Sequence, residues 1–329
     1  MSSPTTFTSA LGPVIVRFVA FKQAMGCRYE TQYAILGQLD RFLAGLNPVS
    51  DLTAESFSAW CTSTRHLSPS GRRMRMLLIR QLCLYRRRHE PNCFVPDPSQ
   101  FPPRQPRRKP YVFSEDEIIR LLHTADGLRP WGRSPLYRQV ARLALVLLYT
   151  SGFRRGEVVR LTLSDYDPVE RVLRICNTKF NKSRIVPLSN DAARELDLCL
   201  EDRRRKGFPS GATAPLLMHR DAAYTGNGLR LLMRRLFRAA DVRTATGALP
   251  RVHDLRFTFA LHALLRWYRA GTDVQSRLPA LATYMGHVSI LSTQYYLPVL
   301  DVVAEKASEK FARHSACFFG DALEARGGR

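Results

Sequence analysis

Long apolar runs are missing from this chain. The longest unbroken one, Leu143 to Tyr149, falls far short of the roughly 20 residues that span a bilayer, and the apolar stretch near the N-terminus is interrupted by Arg17. With no secretory signal visible, a soluble cytoplasmic protein without a membrane partner is expected. Paired cysteines are missing too: the seven are scattered, odd in number and contain no C-x-x-C pair. That pattern excludes a zinc ribbon or a disulfide framework and reads as reduced thiols. Acidic residues are scarce, 28 against 50 Lys and Arg. No carboxylate cluster suited to Mg²⁺ stands out, because Asp165 and Asp167 flank a turn and lack a third partner. Chemistry without metal or cofactor is therefore expected.

What is present is positive charge and enough apolar residues for two domains, 45% of 329 residues. The net charge of +22 is shared: residues 1–112 carry 16 basic and 6 acidic groups, the remainder 34 and 22. Such an excess repels itself unless a polyanion is bound, and the predominant arginine suits phosphate because its planar fork donates two parallel bonds. Nucleic acid is the default partner. A solvated basic face or an RNA binder would give the same composition.

Taken in order, residues 1–10 are small and polar and read as disordered. Helices are expected at 13–24, 29–43, 53–63 and 70–87, a four-helix domain over 11–90. In the last of these, Met74, Leu78, Leu82 and Tyr85 form an apolar stripe, bordered by Arg72, Arg73, Arg75, Arg80, Arg86 and Arg87. Residues 91–110 hold seven prolines together with Arg104, Arg107, Arg108 and Lys109, and read as a basic linker over 91–111. The next domain starts sharply. Ser114 can cap a helix, Glu117 can reciprocate, and Phe113 can staple onto Ile118. Helices are expected at 135–150, 155–160, 189–206, 228–240, 250–268, 274–285, 289–296 and 302–313. Alternation in 171–176 and 183–188 predicts a hairpin with 177–182 as its tip. Residues 316–329 look loose, and no internal repeat is visible.

Motifs of distinct kinds recur along the second domain in a fixed order. They are Gly152-Phe153-Arg154-Arg155-Gly156-Glu157, then Thr178-Lys179-Phe180-Asn181-Lys182-Ser183-Arg184, then His253-Asp254-Leu255-Arg256, and finally Gly286-His287 with Tyr296 nine residues beyond. Over residues 113 to about 315 the chain resembles the tyrosine recombinase (phage integrase) family. The resemblance implies a mainly α fold with a small antiparallel β-sheet, in two domains: an N-terminal helical core-binding domain and a catalytic domain, here 112–315. It implies double-stranded DNA as partner, a tetramer on DNA formed with copies or related recombinases, and a nucleoid-associated location.

Breaking a phosphodiester with a side-chain nucleophile needs groups for the non-bridging oxygens, the attacking oxygen and the leaving oxygen. By the resemblance, Arg154 and Arg256 grip the non-bridging oxygens, with Glu157 orienting. Lys179 protonates the departing 5′ oxygen, with Lys182 in the same loop as its rival. His253 accepts or relays the tyrosine proton, and Phe257 stands where the family often has a second histidine. His287 bonds the phosphate. Tyr296 is the nucleophile, with Tyr295 as the register alternative. His262 reads as structural. Arg72, Arg73, Arg75, Arg107, Arg108, Lys109, Arg155 and Lys182 are expected to meet the DNA backbone. Two other readings stay open, a type IB topoisomerase-like enzyme and a non-catalytic DNA-binding protein. The 302–313 helix could pack on its own chain or on a neighbour.

Overall fold

The computed structural model describes residues 7–46, 51–106, 108–129, 134–176, 183–219, 222–287, 293 and 296. The chain divides into two compact units, one running to Arg108 and the other starting at Lys109.

The first unit is built on α1 (Gly12–Ala24), α2 (Glu30–Leu46), α3 (Ala54–Ser63) and α4 (Pro69–Arg86). Thr53 and Ser56 cap α3 reciprocally, and Ser68 caps α4 through the Gly71 amide. The core collects Ile15, Phe18, Leu36, Leu39, Leu43, Trp60, Ile79 and Leu82. Two features differ from the sequence reading. Residues from Phe7 onward are ordered because the fully buried Asp40 carboxylate accepts the amides of Thr8 (2.9 Å) and Ser9 (3.0 Å). On α4 the buried stripe is Met76, Leu78, Ile79, Leu82 and Cys83, while Met74 faces solvent.

The proline-rich stretch after α4 also does more than connect. Phe101 is buried and Phe94 and Val95 pack on the same core, their rings meeting Phe57 at 5.9 Å for Phe94 and 6.4 Å for Phe101. A 3-10 turn at Pro98–Gln100 shapes it. Arg80 donates to the Pro96 carbonyl (2.5 Å) and Arg73 to that of Pro102 (2.7 Å). Much of the expected linker is thus bound to the helical unit.

The second unit opens as anticipated at α5 (Glu115–Asp126), with the Ser114–Glu117 capping box formed and Phe113 fully buried. The spine is α6 (Tyr137–Thr150), most of whose side chains are buried and which packs against α5 and the helices that follow. After the short α7 (Arg155–Val158), strands β1 (Tyr166–Asp167), β2 (Val172–Ile175) and β3 (Arg184–Pro187) form an antiparallel sheet in that order. Leu173 pairs with Val186, both buried, while Ile185 points out, as a half-buried period-two strand requires. Then come α8 (Asn190–Arg205), β4 (Met218–His219) and β5 (Ala222–Ala223), α9 (Gly226–Ala239), α10 (Val252–Arg269) and α11 (Val274–Met285). Among the described residues the fold is mainly helical with two small antiparallel sheets, one more than the sequence reading had. The expected helices at 289–296 and 302–313 lie outside the described residues, apart from positions 293 and 296. No helix among the described residues is long and apolar enough to cross a membrane.

Candidate active site

Two helix starts in the second unit share one design. At α7, the Glu157 carboxylate reaches back to accept the backbone N–H of Arg154 (3.0 Å) and its Nη1 (2.8 Å). At α10, Asp254 accepts the backbone N–H of Arg251 (2.7 Å) and its Nη2 (2.8 Å). In both, a carboxylate three residues into the helix satisfies an orphan amide and suits the positive end of the helix dipole. It also fixes the arginine beside it. Glu157 and Asp254 are each 3% exposed.

The chain reaches α7 through Gly152, whose φ of +59° is a left-handed value, and a side chain there would stand 2.4 Å from the Phe259 ring. This turn aims the Gly152 carbonyl at Arg256, which donates to it through Nη1 (2.5 Å). Arg256 lies one turn beyond His253 on α10 and is 1% exposed.

The far end of the site is the C-terminus of α11, closed by Gly286 at φ +67°. Three consecutive carbonyls there accept from three different arginines. Tyr284 takes Nε of Arg184 (3.0 Å), Met285 takes Nη2 of Arg256 (2.8 Å), and Gly286 takes Nη2 of Arg154 (2.8 Å). The last carbonyls of a helix lack partners within it and carry its negative end, so these cations are held where the backbone field favours them. Without such compensation, like charges about 4 Å apart would repel by roughly 4 kcal/mol at an effective dielectric of 20.

Beyond Gly286, the His287 Nδ1 meets the Thr293 hydroxyl at 2.7 Å, and Thr293 is fully buried. The Tyr296 ring, 5% exposed, stacks at 6.2 Å on His287 and lies 4.9 Å from Phe257.

Electrostatics follow from this packing. Burial would raise the Glu157 carboxyl, but bonds from Arg184 and from the Arg154 amide and side chain outweigh it and hold it at about 2. Burial, then the neighbouring Arg154, draws Arg256 down to about 10, while Tyr296 and Glu157 pull it back up. It stays charged at neutral pH. His287 is pushed down to about 4 by burial and then by Arg256, Arg154 and Arg184. His253 has an exposed side but is also lowered, first by desolvation and then by Arg256. Both imidazoles are therefore neutral near pH 7 and able to accept a proton.

The structure thus brings together Arg154, His253, Arg256, His287 and Tyr296. Lys179, Lys182, Tyr295 and Arg107 lie outside the described residues. Of the residues expected at a DNA backbone, Arg73 and Arg75 bond within their own unit, the latter to Gln38 (2.8 Å), and Arg72 has a buried Nε without a partner. Arg108, Lys109 and Arg155 are exposed. His262 bonds the Tyr149 hydroxyl (3.2 Å), a structural contact. The sequence reading missed Arg184 and Thr293 as site residues. Arg184 ends the Lys179-to-Arg184 motif, which was the available signal. Among the described residues no group of three or more His, Cys, Asp or Glu is arranged to hold a metal ion.

A family model described as the phage integrase family matches residues 112–301. A putative integrase/recombinase of Sinorhizobium fredii, y4rB, is 31% identical over 93% of this chain and 98% of its own length. Among solved structures, the XerH site-specific recombinase bound to palindromic difH substrate aligns with a TM-score of 0.59 at 16% identity, over 84% of this chain and 78% of that one. A lambda integrase dimer bound to a COC′ core site aligns at 0.56 and 17%, over 85% and 96%. At these identities the two structures are similar in fold.

Proposed function

The chain belongs to the phage integrase family, and from that premise we propose that Arg154, Lys179, His253, Arg256, His287 and Tyr296 are the catalytic set of this tyrosine recombinase. It is a site-specific DNA recombinase that breaks and rejoins DNA strands, and the family match favours this over the topoisomerase-like and non-catalytic alternatives.

In the proposed reaction the Tyr296 hydroxyl attacks the scissile phosphorus as its proton passes to neutral His253. The Tyr296 Oη–P bond forms and the P–O5′ bond breaks. The departing 5′ oxygen takes a proton from Lys179, with Lys182, three residues on in the sequence, as the alternative. Arg154 and Arg256 carry the charge on the non-bridging oxygens, and His287 donates a hydrogen bond to the phosphate. A 5′ hydroxyl from a partner strand then reverses the step. Because the phosphotyrosyl bond keeps the phosphodiester energy, no nucleotide cofactor is required.

Duplex DNA is the partner this reading assigns, supported by the DNA-bound state of the XerH and lambda integrase neighbours. Four protomers on two sites is the proposed assembly, with the first unit and the exposed Arg108, Lys109 and Arg155 on the backbone. What carries the reading is the meeting of two arginines, two neutral histidines and a tyrosine around the end of α11. The test is to trap the protein on nicked suicide DNA and map the adduct by mass spectrometry. An adduct on Tyr296 is expected. One on Tyr295 would move the register by a residue, and none with wild-type protein would overturn the catalytic reading.

A further inference from the structure

Arg184 has no role in the chemistry above, yet its side chain donates three hydrogen bonds within the site. Its guanidinium pairs with both oxygens of Glu157, Nη2 to Oε2 at 2.8 Å and Nη1 to Oε1 at 3.2 Å, and its Nε bonds the Tyr284 carbonyl at 3.0 Å. Its side chain is 11% exposed and its Cζ lies 6.0 Å from the centre of the Phe153 ring. Gly286 makes room for it, since a side chain at 286 would come within 2.6 Å of Nη1. Arg184 is therefore walled in by Phe153, Glu157 and the end of α11, with all three sides of its donor fork engaged.

We infer that Arg184 is a positioning residue for strand cleavage, fixing the Glu157 carboxylate that in turn orients Arg154 toward the non-bridging oxygens of the scissile phosphate. The inference rests on the assignment of Arg154 made above. The shared carboxylate is the link. Glu157 Oε1 accepts from Arg154 (2.8 Å) and from Arg184 (3.2 Å), so the two guanidiniums, with the Arg154 amide on Oε2, set its place together. With Arg184 gone, the desolvated Glu157 carboxylate would keep Arg154, itself 37% exposed, as its one guanidinium partner in place of two. Arg184 also begins β3 and stands five residues after Lys179 in the sequence, so a second route, through the leaving oxygen, must be separated from the first.

Substrate chemistry separates them. Single-turnover cleavage is measured for wild type, Arg184→Ala, Arg184→Lys, Glu157→Gln and the Arg184→Ala/Glu157→Gln pair. Three nicked substrates are used: ordinary phosphate, a scissile methylphosphonate lacking one non-bridging charge, and a 5′-bridging phosphorothiolate whose sulfur leaves without a proton. The expected result on ordinary DNA is a loss of about 10- to 100-fold for Arg184→Ala, with DNA affinity unchanged and Arg184→Lys failing to restore the rate. The double variant is no slower than the slower single one, because both act in one chain of contacts. On the methylphosphonate the gap to wild type narrows to within about threefold, and on the phosphorothiolate it persists.

Rescue by the phosphorothiolate would overturn the inference by tracing the effect to Lys179. An equal loss on all three substrates, or full rescue by lysine, would also overturn it. A wild-type protein that forms no adduct on any substrate would instead defeat the catalytic assignment beneath it.

Discussion

Arg184 and Glu157 meet edge to edge across 27 residues of chain, two nitrogens on two oxygens, with the carboxylate almost wholly shut off from water. A buried pair of this kind is dangerous to halve, because the surviving charge keeps its desolvation cost and loses its partner. Glu157→Gln is expected to lower the melting temperature, by the equivalent of about 3 kcal/mol. Its pH dependence has a definite sign. The folded carboxyl sits at about 2 against an ordinary 4.5, so its contribution is complete above the ordinary value and disappears as pH falls toward 2. Thermal melts in acid should show a shallower decline for the variant than for wild type across that window.

Arg256 is buried and is proposed to act on the scissile phosphate. Arg256→Ala is expected to cut cleavage by about 10² to 10³ and to destabilise the unit by about 1 to 3 kcal/mol, since it strands the Gly152 and Met285 carbonyls. Arg256→Lys keeps a charge but cannot span two carbonyls, and should remain well below wild type in rate. Suicide-substrate cleavage and thermal melts measure the two effects separately.

His287 predicts a second pH effect of the same sign, in a window at higher pH. Burial and three arginines hold its folded value at about 4, below the ordinary 6.5. Between those values the unfolded chain binds the proton and the folded one does not, so stability falls as pH drops through the window. His287→Gln should lessen the decline in melting temperature between about pH 7 and about pH 5. DNA reverses the field with its phosphate, so complex formation there should take up protons. Titration in buffers of different ionisation enthalpy reads this directly.

Gly286→Ala tests the end of α11. A left-handed backbone costs a side chain roughly 1 to 2 kcal/mol, and the added methyl would strike Arg184 Nη1. Cleavage should fall at least about tenfold, while the exposed Gly26, also left-handed but with no neighbour within reach of a side chain, should tolerate alanine at the cost of strain alone. Single-turnover rates and melting temperatures of the two variants make the comparison.

Thr293→Val removes the hydroxyl bonded to His287 and keeps the shape. The imidazole then loses the partner that sets its tautomer, and cleavage should drop by about tenfold at constant DNA affinity. Equal rates for Thr293→Val and wild type would show that this bond does not orient His287.

Much of this architecture is written locally. Ser114, Glu117 and Phe113 announce α5 because capping is a contact among near neighbours. The arginines, histidines and tyrosine proposed for the site each sit in a short patterned segment, which is why the sequence alone suggests them. Other features depend on partners far along the chain. On α4 apolar residues occur on nearly every side, Met74, Met76, Leu77, Leu78, Ile79, Leu82, Cys83 and Leu84, so only packing selects the buried face. The strands β1, β4 and β5 are two residues each, too short to show a period. Prolines between 91 and 110 correctly excluded long helices, but the Phe94 and Phe101 side chains between them attach the segment to Phe57. Arg184 escaped notice as a site residue because its contacts lie 27 and 100 residues away.

The three adjacent carbonyls at the close of α11 leave the recombinase few half-measures. A shift of that short backbone span would strain a bond of all three guanidiniums together, even though Arg154 and Arg184 also hold Glu157 and Arg256 also holds Gly152. For an enzyme that must not nick duplexes at random, such shared anchoring joins its cutting power to the position of a single peptide segment, which ends ten residues before the proposed nucleophile in the sequence.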